Sequence, residues 1–170
     1  MRINFLIIFF FYFSALFSQE CGSCSKRKTF NFKLAKKESL TIDTSQVRVD
    51  GVYLLSFDLN GTKNYQYIHF YKNGRVFFSC IYCSLPTEDQ LNNLNYGSYG
   101  YYTLHNGKIK VETFEAYARY FFVFYSIQGN TITTQGSCKR KWPEPEQKDY
   151  ANINTTYSFY KCNLYRDSFW

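Results

Sequence analysis

The feature that most constrains this chain is a pair of aromatic-rich runs joined by Asn73-Gly74, within residues 65–82 (YQYIHFYKNGRVFFSCIY). Asn-Gly is the preferred centre of a two-residue type I′ turn, because both central positions of that turn need a positive φ. The sequence therefore predicts a β-hairpin with a type I′ turn at this pair. Further short runs end in the same way at Asn60-Gly61, Asn106-Gly107 and Gly129-Asn130.

These turns, together with two long loops at residues 84–98 and 138–154 and a short break after residue 114, divide the chain beyond residue 50 into eight strand-like segments, rich in aromatic and β-branched residues. The predicted strands span residues 51–59, 64–72, 75–82, 99–105, 108–114, 117–127, 131–137 and 155–164. Strands joined by tight turns pair with their sequence neighbours, and closing the resulting meander removes both of its exposed edges. We predict an all-β fold, an eight-stranded antiparallel up-and-down barrel. A short helix is expected in the loop after strand 3, where Pro86 and acidic residues can begin one.

Alternation along the strands indicates which side chains face inward. Ile109 and Val111 alternate with Lys108, Lys110 and Glu112, as expected for one buried and one solvated face. Strand 6 is apolar on both faces, so the N-terminal segment, a long loop or a partner must cover one of them. The predicted ligand-lining residues are Ile68, Phe70, Ile109, Val111, Tyr120, Phe122 and Phe124.

The first 18 residues have the pattern of a signal peptide. Arg2 precedes a continuous apolar run at residues 5–13, which is too short for a comfortable membrane span. We expect cleavage after Ser18 and a secreted or periplasmic protein; a retained anchor or a lipid on Cys21 are the alternatives. The predicted organisation is a signal peptide (1–18), a basic segment (19–50), the barrel (51–164) and a tail (165–170), with no later membrane-spanning helix.

Six cysteines in an exported chain are first interpreted as disulfide-forming. The candidates, whose pairing the sequence leaves open, are Cys21, Cys24, Cys80, Cys83, Cys138 and Cys162. Their two CxxC pairs also match a four-thiolate zinc site, but export to an oxidising compartment weighs against zinc. A thioredoxin-like role needs a CxxC at the start of a helix, whereas the second pair lies in a strand-like run.

The formal net charge of +7 is concentrated in short basic clusters. Such clusters can attract nucleic acid or anionic surfaces, although solvated surface charge is the simpler interpretation, so we expect no nucleic-acid partner. The triplets Asn60-Gly61-Thr62 and Asn154-Thr155-Thr156 match the acceptor pattern for N-glycosylation.

The sequence shows no recognisable catalytic constellation. Its two histidines, His69 and His105, lie in separate predicted strands, and neither has a second histidine at metal-binding spacing. There is no nucleophile elbow and no glycine-rich phosphate loop leading into a helix. We therefore predict a protein that is not an enzyme and that uses no cofactor and no metal. The alternative is an enzyme whose site the sequence does not reveal.

Several motifs between about residues 50 and 164 resemble small secreted lipocalin-like (calycin) barrels of the bacterial type. They are Asp50-Gly51-Val52-Tyr53, YIHFYKNGRV at residues 67–76, GYYTL at residues 100–104, GKIK at residues 107–110 and YSFY at residues 157–160. Gly51-x-Tyr53 stands where typical lipocalins have Gly-x-Trp, and the sequence identifies no arginine partner for it. The resemblance implies an apolar-lined cup for a small hydrophobic ligand, without catalysis.

Together these patterns predict an exported barrel that binds a small apolar or amphipathic ligand. The alternative is an interaction module with a filled core, which holds a protein or a glycan through strand 6 or the long loops.

Overall fold

The computed structural model describes residues 32, 34, 45–115, 119–139 and 154–165, which form a closed antiparallel barrel. Its strands follow one another around the barrel in chain order, and β8 pairs with β1 through Gly51–Lys161 and Tyr53–Phe159. This confirms the predicted eight-stranded up-and-down architecture. The strands are β1 (Gly51–Leu59), β2 (Thr62–Phe70), β3 (Arg75–Ser79), β4 (Gly97–His105), β5 (Lys108–Glu115), β6 (Arg119–Gln128), β7 (Thr131–Lys139) and β8 (Thr156–Lys161).

Two hairpins have the turn that the Asn-Gly pairs predict. Asn60 and Gly61 have φ values of 51° and 77°, and Asn106 and Gly107 have values of 48° and 70°. Both central residues therefore occupy the left-handed region that a type I′ turn requires. At the β6–β7 turn only Gly129 has a positive φ, 56°, as a type II′ turn requires.

The prediction of a type I′ turn at Asn73-Gly74 is wrong. Gly74 has a φ of 78°, but Asn73 does not have a positive φ. The Gly74 N–H donates to the Tyr71 carbonyl at 3.1 Å, and the Tyr71 N–H donates to the Arg75 carbonyl at 2.9 Å. The loop is therefore a three-residue connection, a type I turn followed by a left-handed glycine.

The longer loop is needed to keep β3 in register. Phe70 pairs with Val76 and Ile68 with Phe78, so these side chains share one face. A two-residue loop at Asn73-Gly74 would shift the pairing by one residue and turn Val76 and Phe78 to the opposite face. Burial of the β3 side chains thus overrides the local turn preference.

The barrel interior is a cluster to which every strand contributes. Tyr53 and Phe70 meet edge to face at 5.7 Å between ring centroids, and Phe70 meets Tyr102 in the same way at 4.9 Å. The buried members are Val47, Tyr53, Ile68, Phe70, Val76, Tyr102, Ile109, Val111, Tyr125, Ile132 and Tyr157.

A second apolar cluster lies on the outer face of β1–β4, beneath helix α1 (Glu88–Leu91). The helix confirms the prediction for the loop after strand 3, and Thr87 and Gln90 form a capping box at its start. The Tyr67 hydroxyl donates to the Gln90 carbonyl at 3.0 Å, which ties the helix to β2. The buried members of this second cluster are Val52, Tyr67, Tyr71, Phe77, Leu91 and Tyr99.

No helix in the described part of the chain is both long enough and apolar enough to cross a membrane. The predicted signal peptide, most of the basic segment and all of the tail but Tyr165 lie outside the described residues.

Candidate functional site

One end of the barrel is closed by the residues that lead into β1. Val47 has no exposed surface and belongs to the interior cluster. The Arg48 N–H donates to the Tyr53 hydroxyl at 3.1 Å, and the Gly107 N–H donates to the Gln46 side-chain oxygen at 3.2 Å. These contacts fix residues 45–50 across the barrel end that holds the β4–β5 turn.

The Arg48 side chain packs beside the ring of Phe159, a neighbour of Tyr53, rather than on Tyr53 itself. Its guanidinium lies 3.8 Å from the ring centroid of Phe159, which packs edge-on against Tyr53 at 5.5 Å. Two of its nitrogens donate to the two Asp50 carboxylate oxygens at 3.1 and 2.7 Å. That hydrogen-bonded pair lowers the pKa of Asp50. The closed end is therefore held by a π-stacked, bidentate arginine.

Several inward side chains toward the opposite end of the barrel are partly exposed. Leu55, Phe78 and Val123 pack on the interior cluster but are only half-buried. Phe57 in β1 and Phe121 in β6 lie two residues closer to this end than Leu55 and Val123 do. They are also half-buried. Because these positions pair into the inward register, they form an apolar wall above the packed interior.

Below the rim, the polar groups on this wall are uncharged. Ser98 pairs with Phe78, and Ser137 pairs with Val123, so both serines share the inward face. The Gln66 side chain donates to the Ser79 carbonyl at 3.2 Å, and the Thr113 hydroxyl to the Tyr99 carbonyl at 3.5 Å. Lys139, which ends β7, pairs with Phe121 and so stands in the inward register at the rim; between that level and the closed end, no inward side chain that the structure describes is charged. An unpaired charge placed here would be costly.

The structure brings together four of the seven predicted lining residues. Ile68, Phe70, Ile109 and Val111 all have no exposed surface and all belong to the interior cluster. They form the packed floor beneath the half-buried wall. Whether any of them contacts a ligand stays a prediction.

The other three, Tyr120, Phe122 and Phe124, do not share that face. Phe124 pairs with Lys110, and Phe122 pairs with Glu112, whereas Val111 pairs with Val123. Directly opposed residues of an antiparallel pair lie on the same face, so these three point outward. The expectation of a common lining is therefore wrong for β6.

The inward residues of β6 are the ones that the sequence analysis missed. They are Phe121, Val123, Tyr125 and Ile127. Alternation within β6 could not identify them, because both of its faces are apolar. The charged side chains of β5 mark its outward face. Once the β5–β6 register is known, the β6 residues that pair with them are identified as outward too.

Two residues of the N-terminal segment cover the outer face of β4–β6. Phe32 lies 5.1 Å from the ring of Tyr101 and 5.5 Å from that of Tyr120. The Leu34 N–H donates to the carboxylate of Glu112 at 2.7 Å. Of the three covers considered for strand 6, the structure thus shows the N-terminal segment.

The cysteine predictions have different outcomes. Neither Cys138 nor Cys162 takes part in a disulfide bond, so the expected pairing is not found for these two. Cys138 lies at the C-terminal end of β7 and Cys162 just beyond that of antiparallel β8, at opposite ends of the barrel. Burial raises the pKa of the Cys162 thiol. Cys21 and Cys24 lie outside the described residues, and the pairing of Cys80 and Cys83 stays a prediction.

The two histidines differ in burial. His69 is 4% exposed, its Nδ1 has no hydrogen-bond partner, and burial lowers its pKa to about 4. His105 is exposed at the end of β4. Among the described residues, no group of three or more His, Cys, Asp or Glu side chains could hold a metal ion.

Comparisons with protein-family models, with curated proteins and with solved structures find no match to this chain.

Proposed function

We propose that this protein is an exported, lipocalin-like barrel that binds a small apolar or amphipathic ligand in the half-buried end of its lumen. The observation that carries the proposal is the partly exposed apolar wall at the end of the barrel opposite Val47. Val47 closes one end, whereas Phe57 and Phe121 present partly exposed rings toward the other. A concave apolar wall with a few uncharged hydrogen-bonding groups is the usual chemistry of such sites.

The packed interior defines how deep a ligand would reach. The edge-to-face contacts of Tyr53, Phe70 and Tyr102 fill the half of the barrel next to Val47. The ligand would therefore rest on Ile68 and Val111 rather than between them. The wall formed by Leu55, Phe57, Phe78, Phe121 and Val123 would contact its apolar part.

The wall also favours a neutral ligand. Below Lys139 at the rim, its polar groups are hydroxyls and two amides, which can orient a ligand but cannot neutralise a buried charge. A long-chain alcohol or another uncharged amphipathic molecule fits this chemistry better than a molecule that buries a carboxylate.

The alternative function, an interaction module that uses strand 6, is less well supported. The outer face of β6 is already covered by the chain's own Phe32, which packs against Tyr120. A partner protein or glycan would first have to displace this segment and the Leu34–Glu112 hydrogen bond.

Native mass spectrometry of the exported chain, before and after organic extraction, tests the proposal. We expect a co-purifying mass of lipid size that extraction removes. Ser98→Trp fills an inward position and should abolish it, whereas the matched Ser56→Trp, on the exposed outer face of β1, should not. Ligand-free protein in every preparation, or equal loss from both variants, would contradict the proposal.

A further inference from the structure

We propose that Asn60 and Asn154 are N-glycosylation sites that flank the half-buried end of the barrel. Each asparagine is followed at the second position by a threonine, which completes the acceptor pattern. Both asparagines are exposed, and so are Thr62 and Thr156. The function proposed above does not use any of these residues.

Asn60 is placed at the tip of the β1–β2 hairpin. A Cβ built on Gly61 would meet nothing within 4 Å, so the space around this turn is open. Leu59, directly before Asn60, leaves 52% of its surface exposed. A glycan on Asn60 would lie next to this apolar side chain and shield it.

Asn154 is placed immediately before β8. The neighbouring backbone is fixed, because the Thr134 N–H donates to the Thr155 carbonyl at 2.8 Å. The Thr156 hydroxyl is 3.0 Å from that of Thr133 on the exposed side of β7. The asparagine itself remains exposed, so an attached sugar would meet solvent rather than the sheet.

Both sites lie at the same end of the molecule. The β1–β2 turn and the start of β8 are opposite the end that Val47 closes, since β1 runs away from that end and β8 runs toward it. Two glycans would therefore stand beside the mouth of the lumen without covering the outer cluster near α1.

The modification transfers an oligosaccharide to the asparagine side chain, with one bond formed and one bond broken at the sugar. The side-chain amide nitrogen of asparagine forms a bond to the anomeric carbon of an oligosaccharide carried on a lipid pyrophosphate. The bond from that carbon to the pyrophosphate oxygen breaks, the lipid pyrophosphate leaves, and the amide releases one proton. The donor and its transferase belong to the export pathway, and no oxidant or reductant is needed.

The test is translation of the full chain in the presence of endoplasmic-reticulum microsomes, with protease protection as the readout of entry. We expect two glycans per protected chain, removed by endoglycosidase. Asn60→Gln and Asn154→Gln should each remove one, and the double variant should remove both.

The chain provides a matched control in the β4–β5 turn. Asn106-Gly107 has nearly the same φ values as Asn60-Gly61, but Lys108 stands where Thr62 completes the acceptor pattern. Asn106→Gln should leave the glycan count unchanged, whereas Lys108→Thr should add a third glycan. Protected chains without glycan would overturn the proposal, as would exclusion of the chain from the vesicles, because acceptance requires export.

Discussion

The backbone N–H of Leu34 donates to the carboxylate of Glu112 at 2.7 Å, across 78 positions of sequence. Glu112 has no exposed surface, although it lies on the outer face of β5. A buried carboxylate must be satisfied by donors, so this bond ties the N-terminal segment to the barrel wall.

We expect Glu112→Ala to lower the free energy of unfolding by about 1.5–3 kcal/mol, the range for a hydrogen bond to a charged group. Glu112→Gln keeps an acceptor oxygen in the same place and should lose less. Urea unfolding of both variants at neutral pH measures the difference. Equal loss for alanine and glutamine would show that the Leu34 bond contributes little.

Phe32 tests the same covering segment by packing rather than by hydrogen bonding. Its ring fits between Tyr101 and Tyr120, so Phe32→Ala should uncover the outward apolar side chains of β6. We expect increased binding of a hydrophobic fluorescent dye with the barrel still folded by circular dichroism. Leu85→Ala, at a residue that is already 48% exposed, is the control and should not increase dye binding.

The β2–β3 loop makes a prediction about conformation. Gly74 has a φ of 78°, which costs an L residue roughly 1–2 kcal/mol, so Gly74→Ala should destabilise the protein by about that amount. Asn73→Ala should cost less, because Asn73 does not have a positive φ and alanine there loses side-chain contacts, such as the 3.2 Å hydrogen bond from the Arg75 N–H, without backbone strain. A larger loss at Asn73 than at Gly74, measured by urea unfolding, would refute this account of the turn.

Comparison of the two kinds of turn shows what local sequence can predict. At Asn60-Gly61 the turn preference and the strand register agree, so the Asn-Gly pair correctly predicts a type I′ turn. At Asn73-Gly74 they disagree, and the register of Val76 and Phe78 determines the loop. The eight strands and their order could be predicted because most of the connections carry a local turn signal and consecutive strands pair.

The lining of the lumen could be predicted only in part, for a related reason. Ile109 and Val111 alternate with charged residues, and the structure places both inward. In β6 both faces are apolar, so the inward face depends on which neighbour covers the other one. Phe32 is part of that cover. It is so far from Tyr120 in the sequence that no periodicity could reveal their contact.

His69 makes the stability of the protein depend on pH. Burial lowers its pKa to about 4, from an ordinary value of 6.5. Above pH 6.5 neither the folded nor the unfolded state is protonated, so the full stability is present. As the pH falls from 6.5 to about 4, the unfolded state binds a proton that the folded state excludes, and stability is lost.

The expected loss between pH 7 and pH 4 is about 3 kcal/mol, from the difference between the two pKa values. His69→Phe removes the titrating group and should flatten this part of the profile. His105→Phe, at the exposed histidine, is the matched control variant. Urea midpoints across this pH range provide the measurement, and an unchanged slope in His69→Phe would assign the loss to other groups.

The part of the lumen wall below Lys139 is uncharged, and this predicts which ligands bind most tightly. We expect a long-chain alcohol to displace a neutral fluorescent probe from the protein at lower concentration than the fatty acid of the same length at pH 7.5. The reason is that Ser98, Ser137 and Gln66 can hydrogen-bond a hydroxyl but cannot compensate a carboxylate. Ser98→Lys adds a cation on the inward face and should reverse the order, whereas Ser56→Lys on the outer face should not. Equal displacement by alcohol and acid in the unmodified chain would show that the head group stays in solvent. Failure of the probe itself to bind would instead contradict the ligand-binding function.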